Sequence, residues 1–289
     1  VLSGPLPDVS GLFYAVDVVR SGDATISATG IDETPAGALR LCASELVERL
    51  ACSGSNVEPA DTAGRRVSGM GIAAGPTQAF ARERALLEAL ERLAGCMWWN
   101  GRLASAAPSS DTVAAAAGLR RRWRRRKTRR TDILELPLTG CARIVAAVSS
   151  TADGRGICIG LAARRTGSEA ARGALKELLQ MEFGLQVISY RQANGIAPSA
   201  REAAILERAD NLLHADCAPL IQMVPRMPAP DVTDQKEELY ERLREEGYIA
   251  ETRRIARRNG LFVTQATVAR HWDVPAGAPG PWARWALYL

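Results

Sequence analysis

Two rhythms of apolar and polar positions run through the chain. Leu and Ala interleaved with Glu and Arg predict helices at Pro35–Cys52 and Thr77–Trp99. The same pattern recurs at Val113–Arg126, interrupted by Gly118, and at Gly167–Leu185. Ser199–Ala215 is a further helix, opened by Ser199 with Glu202 three residues on, a capping box. Thr233–Arg258 reads as one charged helix or two, broken near Gly247. Short aromatic and β-branched runs predict strands at Leu12–Val19, Ile133–Leu138, Arg143–Ser149, Ile157–Ala162 and Leu261–Val268. Ala24–Ala28 alternates and suits a hairpin with the first of these. Val67–Ala74, punctuated by Gly, is strand or loop, and Ser53–Arg66 and Leu103–Asp111 are loops. Pro219–Val232 is Pro-rich and irregular, and the tail from Asp273 carries no assigned element. Helices and strands alternate without a strict βαβ rhythm, which favours an α+β fold of mixed sheets packed against several helices.

The helices repeat one motif. Ala43–Ala51 (ASELVERLA) and Leu87–Ala94 (LEALERLA) both contain E-x-x-E-R-L-A, starting at Glu45 and Glu88. Lys176–Gly184 (KELLQMEFG) is a looser copy, with Glu177 and Gln180 in the same relation. Residues three apart share a helix face. Such carboxylates and an amide suit hard cations, Mg²⁺ above all, which takes oxygen ligands and keeps substrate phosphates as co-ligands. Arg49 and Arg92 have the fork geometry that grips phosphate. The alternative is a solvated face on which Glu and Arg form i, i+4 pairs worth a few tenths of a kcal/mol. A di-iron carboxylate bundle needs Glu-x-x-His on two helices, and neither His214 nor His271 is so placed. No Walker-type or Rossmann glycine motif is present.

Composition narrows the picture. Apolar residues make up 47% of 289, enough for a sizeable core, and no apolar run approaches a membrane span. Val1–Leu6 lacks the charged start of a signal peptide. Six cysteines without a C-x-x-C pair read as buried free thiols in a reducing cytoplasm, and with two histidines they argue against structural zinc. The net charge of +5 is concentrated in Arg120–Arg130, RRRWRRRKTRR. That run is either a solvated helix or linker, or a nucleic-acid patch with one stacking aromatic, Trp123.

Residues 68–102, SGMGIAAGPTQAFARERALLEALERLAGCMWWNGR, resemble the core of the YcaO proteins: a small-residue turn, a helix with a glutamate pair and Arg, and W-W near its end. Residues 29–49 look like that family's first glutamate helix, and 143–180 like its third segment. The resemblance implies a YcaO-like fold, a single domain over 1–289 with nucleotide-site helices at 35–52, 77–99 and 167–185, and 199–289 less clearly assigned. It implies ATP- and Mg²⁺-dependent modification of a peptide backbone: cyclodehydration of Cys, Ser or Thr to thiazoline or oxazoline rings, or thioamide or amidine formation. The products are ribosomally made, modified peptides such as bacteriocins. By position, Glu45, Glu48, Glu88, Glu91 and Glu177 are the metal and phosphate residues, with Glu48, Glu91 and Glu177 on the metal and Arg92 and Gln180 assisting.

The chain departs from the family pattern at several places, among them Leu93, where the family has an acidic residue after the second E-x-x-E-R. Thr29 stands in place of a Lys, Leu41 of a Ser, Pro76 of an Asn and Phe80 of a Glu. Charge-assisted contacts of this kind are worth about 1.5–3 kcal/mol each. Two readings therefore stand: an ATP-dependent, cytoplasmic peptide cyclodehydratase, and a non-catalytic partner or peptide-binding scaffold of the same fold. Either implies a precursor peptide and a separate leader-peptide-binding protein, allows a homo-oligomer, and requires neither membrane nor nucleic acid.

Overall fold

The computed structural model describes residues 1–7, 9–21, 24–52, 66–124, 128–224 and 239–271, with Trp282 and Leu287. In chain order the elements begin with β1 (Leu2–Pro5), β2 (Phe13–Ser21), β3 (Ala24–Asp32), α1 (Pro35–Cys52), β4 (Arg66–Gly75) and α2 (Gln78–Trp99). There follow α3 (Ser110–Trp123), β5 (Arg129–Glu135), β6 (Arg143–Thr151), β7 (Cys158–Arg164) and α4 (Gly167–Ala193). The last are α5 (Ala200–Asn211), α6 (Ala218–Ile221), α7 (Leu239–Glu245), β8 (Ile249–Arg258) and β9 (Leu261–His271). The loop from Ser53, the middle of the arginine run, most of the Pro-rich stretch and nearly all of the tail lie outside the described residues. Contacts divide the chain into two units, Val1–Leu93 with Val232–Asp273, and Ala94–Asp231 with Val274–Leu289.

The first unit holds two antiparallel sheets, ordered β1–β2–β3 and β4–β9–β8. Helix α1 serves both. Ala38 and Cys42 pack with Ala15 and Ala28 of the first sheet. Val47, further along, packs with Ala74 and Val263 of the second. Small residues on both surfaces let the helix lie close to the strands. A Cβ at Gly71 of β4 would land on the Ala85 carbonyl oxygen of α2, so only glycine permits that approach. Strands β8 and β9 form a hairpin around Asn259 and Gly260, whose φ values of 50° and 78° are those of a type I′ turn. Charged helix was expected over Thr233–Arg258; among the described residues only α7 is helical there, and Ile249–Arg258 is strand. Pairing with β9 overrides the helical composition of that segment, and the Asn-Gly pair at 259–260 is its local signal.

The second unit is built on the antiparallel sheet β5–β6–β7. Every residue from Arg143 to Ser150 of β6 is buried, as befits a central strand. Helix α4 packs on β6 and β7, with α3 and α5 alongside it. Ser109 caps α3, and Ser199 with Glu202 forms the expected capping box on α5. Helix α4 runs two turns past the predicted end at Leu185 and stops only at Asn194-Gly195, where Gly195 takes φ 79°.

The arginine run is turned inward at two points. Glu182 of α4, 8% exposed, accepts from Arg124 at 2.6 Å and from the Ser149 hydroxyl at 2.6 Å, and pairs with Arg129 at 3.3 Å. Arg130 pairs with Asp132, which also meets His214 at 2.8 Å. Trp123 is 1% exposed and has no face to offer a nucleic-acid base. The stacking aromatic of the nucleic-acid alternative is thus a core residue. Among the described residues no helix is long and apolar enough to cross a membrane.

Candidate functional site

The three glutamate helices share one construction. Each follows an edge strand of its sheet: α1 follows β3, α2 follows β4 and α4 follows β7. An edge strand leaves N–H groups without a neighbouring strand to accept them. In each copy a glutamate sixteen residues downstream takes one. The Thr29 N–H donates to Glu45 Oε2 at 2.9 Å, the Ile72 N–H to Glu88 Oε2 at 3.0 Å, and the Leu161 N–H to Glu177 Oε2 at 2.7 Å. A glycine adjoins each donor: Gly30, Gly71 and Gly160. A Cβ at any of them would overlap helix backbone, so the close approach and the hydrogen bond come from the same local sequence.

The second glutamate of α1 crosses to the next strand. Glu48 Oε1 accepts the Ala74 N–H of β4 at 2.7 Å. One stretch of β4 therefore binds Glu48 of α1 and Glu88 of α2 through Ala74 and Ile72. Burial pushes the Glu48 carboxyl up to about 8; the Ala74 N–H opposes this, and the neighbouring Glu88 and Glu45 carboxylates add to it. Burial likewise raises Glu88, opposed by Arg92, the Ile72 N–H and Arg84. Two enclosed carboxyls that resist ionising together are the electrostatic setting a cation relieves.

In α1 and α2 the first glutamate also holds its own helix's arginine. Arg49 Nη2 lies 2.5 Å from Glu45 Oε1, and Arg92 Nη2 lies 2.5 Å from Glu88 Oε1. The arginines are 46% and 48% exposed, so these i, i+4 pairs are cheap to open, at about 0.3–0.5 kcal/mol each. Glu91 stands one turn past Glu88 on α2, half-buried. Glu177 and Gln180 occupy the matching positions on α4, in the second unit. The structure thus joins Glu45, Glu48, Glu88 and Arg92 to neighbouring strands or helical partners in the first unit. Among the described residues no group of three His, Cys, Asp or Glu side chains is already arranged around a metal position. The donors of Glu48, Glu91 and Glu177 are all carboxylate oxygen, the chemistry Mg²⁺ prefers.

The departures from the family pattern also have places. Thr29 donates its N–H and, at 3.4 Å, its hydroxyl to Glu45. Leu41 is 44% exposed and Phe80 50% exposed, so both present apolar surface. Cysteine nucleophiles find little support: burial pushes Cys158 up to about 11 and Cys217 to about 12, leaving both as thiols at neutral pH. Sequence reasoning missed the backbone donors at Thr29, Ile72 and Leu161. Their common spacing to a glutamate and the glycine beside each were the signal.

Comparison with known proteins follows the same lines. The family model of the YcaO cyclodehydratases, described as ATP- and Mg²⁺-binding, matches residues 55–270. The YcaO protein of Methanopyrus kandleri, solved with AMPPCP and Mg²⁺ bound, superposes with a TM-score of 0.58 at 16% identity, covering 92% of this chain and 83% of that one. A chain of the E. coli microcin synthetase McbBCD complex gives 0.56 at 12% identity, with 89% and 86% covered. A heterocyclase in complex with substrate and cofactor gives 0.52 at 21% identity, covering 68% of this chain and 27% of that longer one. At these identities the superpositions speak for a shared fold. No curated protein matches the chain by sequence.

Proposed function

The chain belongs to the YcaO family, whose ligands are ATP and Mg²⁺, and from that premise we propose that it modifies a peptide backbone at the expense of ATP. The proposed reaction is cyclodehydration of Cys, Ser or Thr to an azoline, with thioamide or amidine formation as its chemical relatives. The product is a ribosomally made peptide of the bacteriocin kind. The observation that carries this reading is the half-buried pair Glu48 and Glu88, held on the Ala74 and Ile72 N–H groups of β4 with Glu45 near by.

The chemistry asks little of the protein beyond positioning and charge. A side-chain thiol or hydroxyl adds to the preceding carbonyl, and the former carbonyl oxygen takes the γ-phosphoryl group. That oxygen then leaves as phosphate while a C=N bond forms and the nitrogen gives up its proton. In the first unit Glu48 and Glu91 would hold Mg²⁺, which would supply neutralisation of phosphate charge, and Glu177 offers the same carboxylate oxygen in the second. Arg92, about half-exposed in its pair with Glu88, would turn its guanidinium to phosphate oxygen. The strand N–H groups fix Glu45, Glu88 and Glu177, so charge is positioned before the substrate arrives.

A precursor peptide and a second protein that presents its leader are the proposed partners. The cytoplasm, which supplies ATP and keeps thiols reduced, is the proposed setting. The test is calorimetry with MgATP together with product formation in the reconstituted pathway. Wild type is expected to bind MgATP, and Glu88→Gln with Glu91→Gln to lose both binding and the loss of one water per ring. Unchanged product formation in that double variant would sink the reading. The exposed Leu41 and Phe80 favour the second reading, a non-catalytic scaffold of the same fold. It predicts peptide binding without MgATP binding, even with partner and peptide present.

A further inference from the structure

One cation on the site face of α2 has its donors unspent. Arg84 precedes Glu88 by one turn, and Arg84, Glu88 and Glu91 follow one another along a single helix face. The residue is half-buried. Its charge acts on both enclosed carboxyls, Glu48 and Glu88. Yet among the described residues Arg84 makes no hydrogen bond or ion pair.

The neighbouring carboxylates are engaged elsewhere: Glu88 Oε2 accepts the Ile72 N–H and Oε1 accepts from Arg92. Glu48 gives one oxygen to the Ala74 N–H. One turn in the other direction stands Phe80, which has no acceptor and is 50% exposed. A half-buried arginine that spends no donor on a protein partner keeps its planar fork of N–H groups for an anion of matching shape, and phosphate is such an anion.

We propose that Arg84 is a phosphate-binding residue of this chain, donating to the phosphate oxygens of a nucleoside triphosphate lodged on the α2 face; the assignment rests on the nucleotide reading given above. Arg84 brings positive charge where Phe80 and Leu41 bring none, and it offsets the repulsion that any ionised carboxylate of the site exerts on an incoming polyphosphate.

The test is titration of MgATP into the full chain and into Arg84→Gln and Arg84→Lys, with ligand-free unfolding temperatures measured alongside. Loss of a charge-assisted fork should weaken MgATP about tenfold or more in Arg84→Gln. Arg84→Lys should recover part of the loss, since a point charge replaces the fork. Both variants should unfold at the wild-type temperature or above it. Equal MgATP affinity in wild type and Arg84→Gln would overturn the assignment while leaving the nucleotide site standing. A lowered unfolding temperature matching the lost affinity would make Arg84 a structural residue and overturn it too. A wild type that binds no MgATP would remove the site reading and Arg84 with it.

Discussion

Gly160 stands where β7 and α4 come nearest: a methyl group there would collide with the Ala174 carbonyl oxygen and the Leu178 amide. Backbone cannot turn aside as a side chain can, so the helix must lift. Gly160→Ala should cost at least the 1–3 kcal/mol typical of overpacking, read by urea unfolding, and should weaken the Leu161–Glu177 hydrogen bond with it. Glu48 offers a prediction of a different kind. In the unfolded chain its carboxyl ionises near the ordinary value of 4.5; in the fold, burial and then the Glu88 and Glu45 charges hold it at about 8. Between those values the folded protein keeps a proton that the unfolded chain has released. Its stabilising contribution is therefore complete below 4.5 and is lost as pH rises through 8. The unfolding temperature of metal-free protein should fall over that window, and Glu48→Gln should flatten the fall.

At the scale of elements, the arginine run shows why local sequence is a partial guide. Arg124 and Arg129 lie within a stretch that reads as solvated, and Glu182, the residue that draws them in, comes from the middle of α4. Strand β5 accordingly begins at Arg129, four residues before the predicted start at Ile133. Glu182→Leu would leave both arginines enclosed without their anion. Removing one partner of a buried ion pair costs about 3–5 kcal/mol, and urea unfolding of that variant should show a loss of this order. The glutamate helices were legible because composition and motif repeat point the same way, and α1 begins and ends where predicted, at Pro35 and Cys52. Strand β8 was not legible, because IAETRRIARR has the charge of a helix surface and only its pairing with β9 makes it a strand.

For the whole molecule, family membership and local geometry reach different distances along the chain. The family match begins at residue 55, after α1. The Thr29–Glu45 bond nevertheless repeats, with the same spacing and an adjoining glycine, what Ile72–Glu88 and Leu161–Glu177 do inside the match. The α+β architecture and the glutamate pairs could be read from residues alone. The backbone donors could not, since a glutamate's hydrogen-bond partner becomes visible only once strand and helix are set side by side. Arg84 escaped notice for a related reason: its significance lies in the partners its neighbours have already taken.

The placing of carboxylates against strands β3, β4 and β7 also bears on how this protein avoids its own kind. An open strand edge is a template on which another extended chain can add. At Thr29, Ile72, Ala74 and Leu161 the donor such a chain would need is already engaged, by a carboxylate that offers no N–H in return. The ladder ends there in a group that cannot propagate it. The same glutamates thus close part of these three strands to the addition of another.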